Sequence, residues 1–157
     1  MSSTGYCVMD SNKDTMSIIK TGVVQTKKGD FENEDLRIIH ICKEISNIII
    51  EYKVDEVIIE EQFLARNSKT VLLLRKMLGA LMYAIYELNV KVNYLYPTTV
   101  RKLVLNNGKA KKEAVAEYIR KRVIDIGEYS DKAGKSKTSD MYDATALALA
   151  YHIQINS

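Results

Sequence analysis

Residues 54–61 read Val54-Asp55-Glu56-Val57-Ile58-Ile59-Glu60-Glu61. The short β-branched run fenced by acids predicts a buried strand from Val54 to Glu60 rather than a helix. The next forty residues set the class. Ser68 opens a helical pattern through about Leu88, with Leu72, Leu73, Met77, Ala80, Leu81 and Ala84 on its apolar side, and Val90 to Tyr96 reads as another strand. Helices and strands that alternate in this way, after a hairpin, predict a mixed sheet.

Upstream, Tyr6-Cys7-Val8-Met9 reads as a strand after a turn-like Ser2-Ser3-Thr4-Gly5. The cluster Asp10-Ser11-Asn12-Lys13-Asp14 predicts a tight turn into a second strand from Met16 to Val24. Asn33 or Asp35 caps a helix whose apolar positions are Leu36, Ile39, Cys42, Ile45 and Ile49. Downstream, Pro97-Thr98-Thr99 starts a helix that stops at Asn106-Asn107-Gly108, and a basic helix runs from Lys111 to about Ile124. A polar loop covers Gly127 to Lys137, and Ser139 caps a last helix from Asp140 to about Ile153. With one proline and no Gly/Ser-rich linker, residues 1–157 read as a single α/β domain with a mixed β-sheet flanked by helices on both faces.

Composition narrows the class further. At 157 residues and 46% hydrophobic content the chain is neither disordered nor collagen-like, and no sustained heptad supports a coiled coil. Cys7 and Cys42 form no C-x-x-C pair and stand at no zinc spacing from His40 or His152, so disulfide and zinc scaffolds have no support. Neither a P-loop nor a G-x-G-x-x-G occurs, and no run is long enough to span a bilayer. A reducing cytoplasm is the expected compartment.

The net charge of +3 hides two opposed regions. Residues 30–61 carry ten acids against three bases, a local balance of −7, whereas residues 101–122 carry eight bases against two acids, a balance of +6. The basic stretch is either a solvated amphipathic helix or a surface for a polyanion. Glu60, at the carboxyl end of its strand, stands where open α/β sheets place functional groups, or else marks the strand's exit to solvent. Asp140 and Asp143 are three residues apart and share one helix face; in a first turn they act as caps, or with Glu60 they make a cluster suited to a hard divalent cation. Ala144, Ala146, Ala148 and Ala150 predict that this helix packs closely against a neighbour.

In these residues the chain resembles the RuvC family of Holliday-junction resolvases, within the RNase H-like superfamily. Ser3-Thr4-Gly5-Tyr6-Cys7-Val8 is similar to that fold's second strand, and Ile59-Glu60-Glu61-Gln62-Phe63-Leu64-Ala65-Arg66-Asn67 resembles the family's I-E-x-x-F-x-x-(K/R)-N signature. Tyr96-Pro97 with Val100-Arg101, then Gly108-Lys109-Ala110-Lys111-Lys112, resemble the stretches after the next strand. Asp140-Met141-Tyr142-Asp143-Ala144-Thr145-Ala146-Leu147-Ala148 is similar to the D-x-x-D-A-x-A-L-A ending.

The resemblance implies a metal-dependent endonuclease that resolves four-way or other branched DNA by symmetric nicking. It implies Mg²⁺ or Mn²⁺, two ions per active site in a complete protein, with Glu60, Asp140 and Asp143 as metal-binding carboxylates and Lys112 near the scissile phosphate. Phe63 corresponds to an aromatic at the junction centre, and Arg66, Arg101 and Lys109 to DNA-backbone contacts. A homodimer through the helix around Ser68 to Leu88 is also implied, with no membrane partner. One part of the pattern departs: family members begin with a strand ending in Asp, and this chain opens at the turn beyond it. The expectation is therefore a missing first strand and first carboxylate, with Asp10 about 17 Å or more too distant to replace it. As written, such a chain is expected either to have lost its true start or to bind junctions with impaired cleavage.

Overall fold

A computed structural model describes residues 3–27, 29–61, 69–122 and 135–157, with side chains in the last helix from Ser139 onward. The chain opens with an antiparallel hairpin, β1 (Ser3–Ser11) and β2 (Met16–Gln25). The Asn12 amide donates to the Thr15 carbonyl at 3.0 Å, and the Asn12 Oδ1 accepts from the amides of Asp14 and Thr15 at 3.0 and 2.9 Å. This is the local bonding by which Asn closes a tight turn. Two expectations change here. Ser3 to Gly5 is strand rather than turn, because ladder pairing with β2 extends to the start of the described chain. The expected absence of a first strand finds no support, since the structure carries β1 at Ser3–Ser11.

The predicted strands and the long helix between them are present as β3 (Glu56–Glu60), α2 (Lys69–Glu87) and β4 (Lys91–Leu95). The Lys91 amide donates to the Asp55 carbonyl and the Glu61 amide to the Leu95 carbonyl, so the bonds climb both strands in the same sense and the pair is parallel. The expected mixture of antiparallel and parallel pairing thus occurs as two two-stranded ladders, β1–β2 and β3–β4. Among the described residues, no helix is long and apolar enough to cross a membrane.

Contacts group the chain into two compact units. The first holds α2 and α1 (Glu34–Glu51), which pack on one another. Asn33 is the cap: its Oδ1 accepts from the Leu36 amide at 3.0 Å. Helix α1 buries Ile38, Ile41, Cys42 and Ile49, whereas Leu36 and Ile39, expected inward, are 41% and 47% exposed. Of the expected stripe, Cys42 and Ile49 are buried and Ile45 is half-buried; isoleucines on several faces of α1 leave the apolar period without a single direction, so spacing misplaces its first two positions. Leu72 of α2, also expected inward, is exposed as well.

The second unit holds most of the hairpin, the end of β3, and helices α3 (Pro97–Leu105), α4 (Lys112–Arg122) and α5 (Lys135–Ile155). Pro97 opens α3, and Asn106 closes it in the left-handed region at φ 54°. Helix α5 packs on α3 and α4 around Leu95, Val100, Val104, Val115, Ile119, Ala146 and Ala150. It begins at Lys135, a full turn before the expected Ser139 cap, and the tail of the predicted loop at residues 135–137 is helical; residues 123–134 lie outside the described part. Asp140 and Asp143 therefore sit in the second and third turns. The helix dipole acts mainly within the first turn, so capping does not account for them.

Strand β1 lies along α5. A Cβ on Gly5 would fall 2.2 Å from the Asp140 carbonyl oxygen; farther along, Cys7 is hydrogen-bonded to Thr145, and the Ser11 Oγ meets the His152 Nδ1 at 2.6 Å. Gly5 to Ser11 spans roughly 20 Å at strand rise and Asp140 to His152 roughly 18 Å at helical rise, so strand and helix keep step over this length. Thr145, 1% exposed, donates its hydroxyl to the Met141 carbonyl at 2.8 Å, and burial pushes the Cys7 thiol up to about 11. Gly5→Ala puts a methyl group into main chain that has nowhere to go. We expect a loss of about 1–3 kcal/mol or more in urea denaturation; an unchanged midpoint would contradict this packing.

Candidate active site

Glu60 is the last residue of β3, and the Glu61 amide bond to Leu95 at 2.9 Å holds the strand in register just beyond it. The side chain is half-buried there, at the exit of an apolar strand. Asp140 and Asp143 come from α5, Lys112 is the first residue of α4, and Arg101 lies on α3. Packing of α3 and α4 against α5 thus draws residues far apart in sequence into one electrostatic neighbourhood.

Charges there are strongly linked. The Lys112 Nζ forms an ion pair with the Asp143 Oδ2, the lysine side chain 51% and the aspartate 30% exposed. That hydrogen bond raises the Lys112 ammonium above its ordinary value, burial opposes the rise, and the charges of Asp143, Asp140 and Glu60 add to it. Burial pushes the Glu60 carboxyl up, the neighbouring Asp143 charge pushes it further, and Lys112 and Arg101 pull it back. All three carboxylates thus act on the Lys112 ammonium, and the Arg101 guanidinium acts on Glu60.

The donor set is all oxygen, partly buried, and already holds a cation in the form of Lys112, which is the chemistry a hard divalent ion requires. Among the described residues, however, no three acidic, histidine or cysteine side chains converge as a ready cage. Asp143 is engaged by Lys112 instead.

The expected residues fall into two groups. Glu60, Asp140, Asp143 and Lys112 are brought together, and Arg101, expected only as a DNA contact, also acts on Glu60. Lys109 is exposed in the turn before α4, its amide donating to the Asn107 Oδ1 at 3.0 Å. Phe63 and Arg66 lie outside the described residues. Sequence reasoning missed Gly5, which lets β1 approach the backbone of Asp140. A glycine inside a strand is a known sign of close backbone approach, and that signal was present. It also missed Tyr94, whose phenol is raised by burial and by the charge of Glu61.

The Glu60 shift has a defined sign. A raised carboxyl keeps its proton in the folded chain at pH values where the unfolded chain has lost it. Stability is then highest below the ordinary glutamate range and falls as pH rises through the window up to the raised value. Glu60→Gln removes that fall: without divalent cations its stability should vary less with pH across this window and exceed wild type at neutral pH. Parallel wild-type and variant curves would contradict the assignment.

Comparison with known proteins identifies the family. The family model described as crossover junction endodeoxyribonuclease RuvC matches residues 1–151. The RuvC of Wigglesworthia glossinidia brevipalpis is 34% identical over 98% of this chain and 89% of its own length. The RuvC of Sulfurovum sp. (strain NBC37-1) is 32% identical over 96% of this chain and 87% of its own. The solved Thermus thermophilus RuvC superposes with a TM-score of 0.78 at 23% identity, covering 98% of this chain and 89% of that one. The T. thermophilus RuvC complex with Holliday junction substrate gives 0.77 at 22% identity, with the same coverage. At those identities the solved structures bear on the fold alone, an α/β fold shared with the solved RuvC. A match over nearly the whole length, in family model and relatives alike, establishes that this chain belongs to the RuvC family of crossover junction endodeoxyribonucleases.

Proposed function

We propose that this crossover junction endodeoxyribonuclease nicks four-way DNA at the cluster of Glu60, Asp140 and Asp143, with these carboxylates holding Mg²⁺ or Mn²⁺, two ions in the complete site. When bound, the ions supply charge neutralisation at the phosphate and lower the pKa of the attacking water. The observation that carries this reading is the shared electrostatic neighbourhood of the three carboxylates with Lys112. In a shape set by α5, the carboxylates offer oxygen donors, while Lys112 and Arg101 offer positive charge to a phosphate arriving beside them. Lys109, on its exposed turn, suits a backbone contact farther along the DNA. Phe63 and Arg66 keep the roles their resemblance implies, stacking at the junction centre and gripping the backbone.

A two-fold dimer suits symmetric nicking of two strands. In the first unit, Ile39, Cys42, Lys43, Ala80, Tyr83 and Ala84 help line a groove of about 410 Å³. Tyr83 and Tyr86 of α2 are 67% and 74% exposed, and a Cβ on Gly79 would meet nothing within 4 Å. Apolar surface of this kind supports a second copy as the partner of α2. Sedimentation should give twice the 17.8 kDa chain mass; a monomer at micromolar concentration would refute it. The free thiols of Cys7 and Cys42 suit the reducing cytoplasm.

The central test is nicking of a synthetic four-way junction. Asp143→Asn should cut at least about a hundredfold more slowly than wild type in Mg²⁺, because a lost metal ligand removes several kcal/mol of charge stabilisation. Junction binding in EDTA should persist. Equal cutting by the variant would overturn the site assignment, and tight binding by wild type with no cutting in Mg²⁺ or Mn²⁺ would identify a junction binder with impaired chemistry.

A further inference from the structure

Lys112 presents its ammonium to Asp143, one of the carboxylates proposed to hold the metal. We infer that Lys112 is a displaceable internal cation: its ammonium pairs with Asp143, and a divalent ion must expel it to take that carboxylate. The inference rests on the reading of Glu60, Asp140 and Asp143 as metal ligands.

Three features support exchange rather than a fixed brace. With half of the lysine side chain and nearly a third of the aspartate exposed, the pair can part without unfolding anything. Exposed pairs of this kind hold weakly, so a divalent ion competes readily. Lys112 is the first residue of α4, and its four-carbon stem can swing without breaking a helical hydrogen bond. The surroundings point the same way: Asp140 and Glu60 also act on Lys112, so the carboxylate charge at this end of α5 extends beyond the one paired oxygen. The same event has a second consequence. An ammonium released from Asp143 stays beside the cluster, free to meet a phosphate oxygen, so metal loading prepares the positive charge that substrate needs.

The contact thus acts as an autoinhibitory one.

The test is Mn²⁺ binding to the purified full chain, measured by calorimetry and by the loss of the free-ion EPR signal, with no DNA present. Lys112→Met should tighten Mn²⁺ binding about fivefold, the upper end for freeing a carboxylate from a solvent-screened ion pair. Lys112→Arg, which keeps the charge and grips a carboxylate with two parallel donors, should bind Mn²⁺ more weakly than wild type. Lys111→Met removes an adjacent exposed charge without touching the pair, and should stay within about twofold of wild type, as screening of exposed charges predicts. Unchanged or weaker binding in Lys112→Met overturns the inference, as does an equal gain in Lys111→Met, which would reduce the effect to overall charge. Asp143→Asn separates this from the underlying reading. If Asp143→Asn binds Mn²⁺ as tightly as wild type, or if no variant binds it saturably, the metal-site reading itself fails and takes the inference with it.

Discussion

Helix α5 holds Asp140 and Asp143 where it does because strand β1 can lie directly against its backbone. At Gly5 a single added carbon would sit 2.2 Å from the Asp140 carbonyl oxygen, so no other residue type fits without moving strand or helix. From there the strand stays in step with the helix, through Cys7 with Thr145 and Ser11 with His152. Ala146 and Ala150, essentially unexposed, bring α5 equally close to its other neighbours. Interiors at this density tolerate little adjustment, and that stiffness fixes the two aspartates.

Given that frame, charge does the rest. The modest net charge of +3 conceals an acidic stretch, residues 30–61, and a basic one, residues 101–122, and each sends residues to the site. Glu60 comes from the acidic stretch, Arg101 and Lys112 from the basic one: burial and the Asp143 charge raise the Glu60 carboxyl, Lys112 and Arg101 pull it back, and the bond to Asp143 leads the rise of the Lys112 ammonium. A cluster of like charges tolerates partial burial only when cations accompany it. In the metal-free protein those cations are side chains. Their half-exposed positions leave them replaceable, which suits a site whose working cation and substrate both arrive from solution.

Much of this is legible in the sequence, and the reasons differ by residue. Val57-Ile58-Ile59 is too short and too β-branched for a helix, and the strand is there. Asn33, Pro97 and Asn106 act through local bonding or local dihedrals, so their roles can be read without tertiary knowledge. Five motifs in the right order carry the family. What escapes is tertiary. Leu36, Ile39 and Leu72 fit an inward stripe by spacing, yet they are exposed, because α1 and α2 carry more apolar residues than one stripe can bury. Ser, Asp and alanines from Ser139 onward make a good capping pattern, while the helix itself starts at Lys135. Gly5 has the look of a turn residue, although its job is to make room for another backbone. The pairing of Lys112 with Asp143 spans elements whose approach no local pattern encodes.

The account turns on Asp143 exchanging one cation for another. The most direct measurement is anomalous diffraction from crystals of the full chain soaked in Mn²⁺. A peak within ligand distance of Glu60 and Asp143, with the Lys112 ammonium turned away from the Asp143 carboxylate, is the result the account predicts. Mn²⁺ bound elsewhere, or no Mn²⁺ at the cluster and an intact Lys112–Asp143 pair at saturating metal, would contradict it.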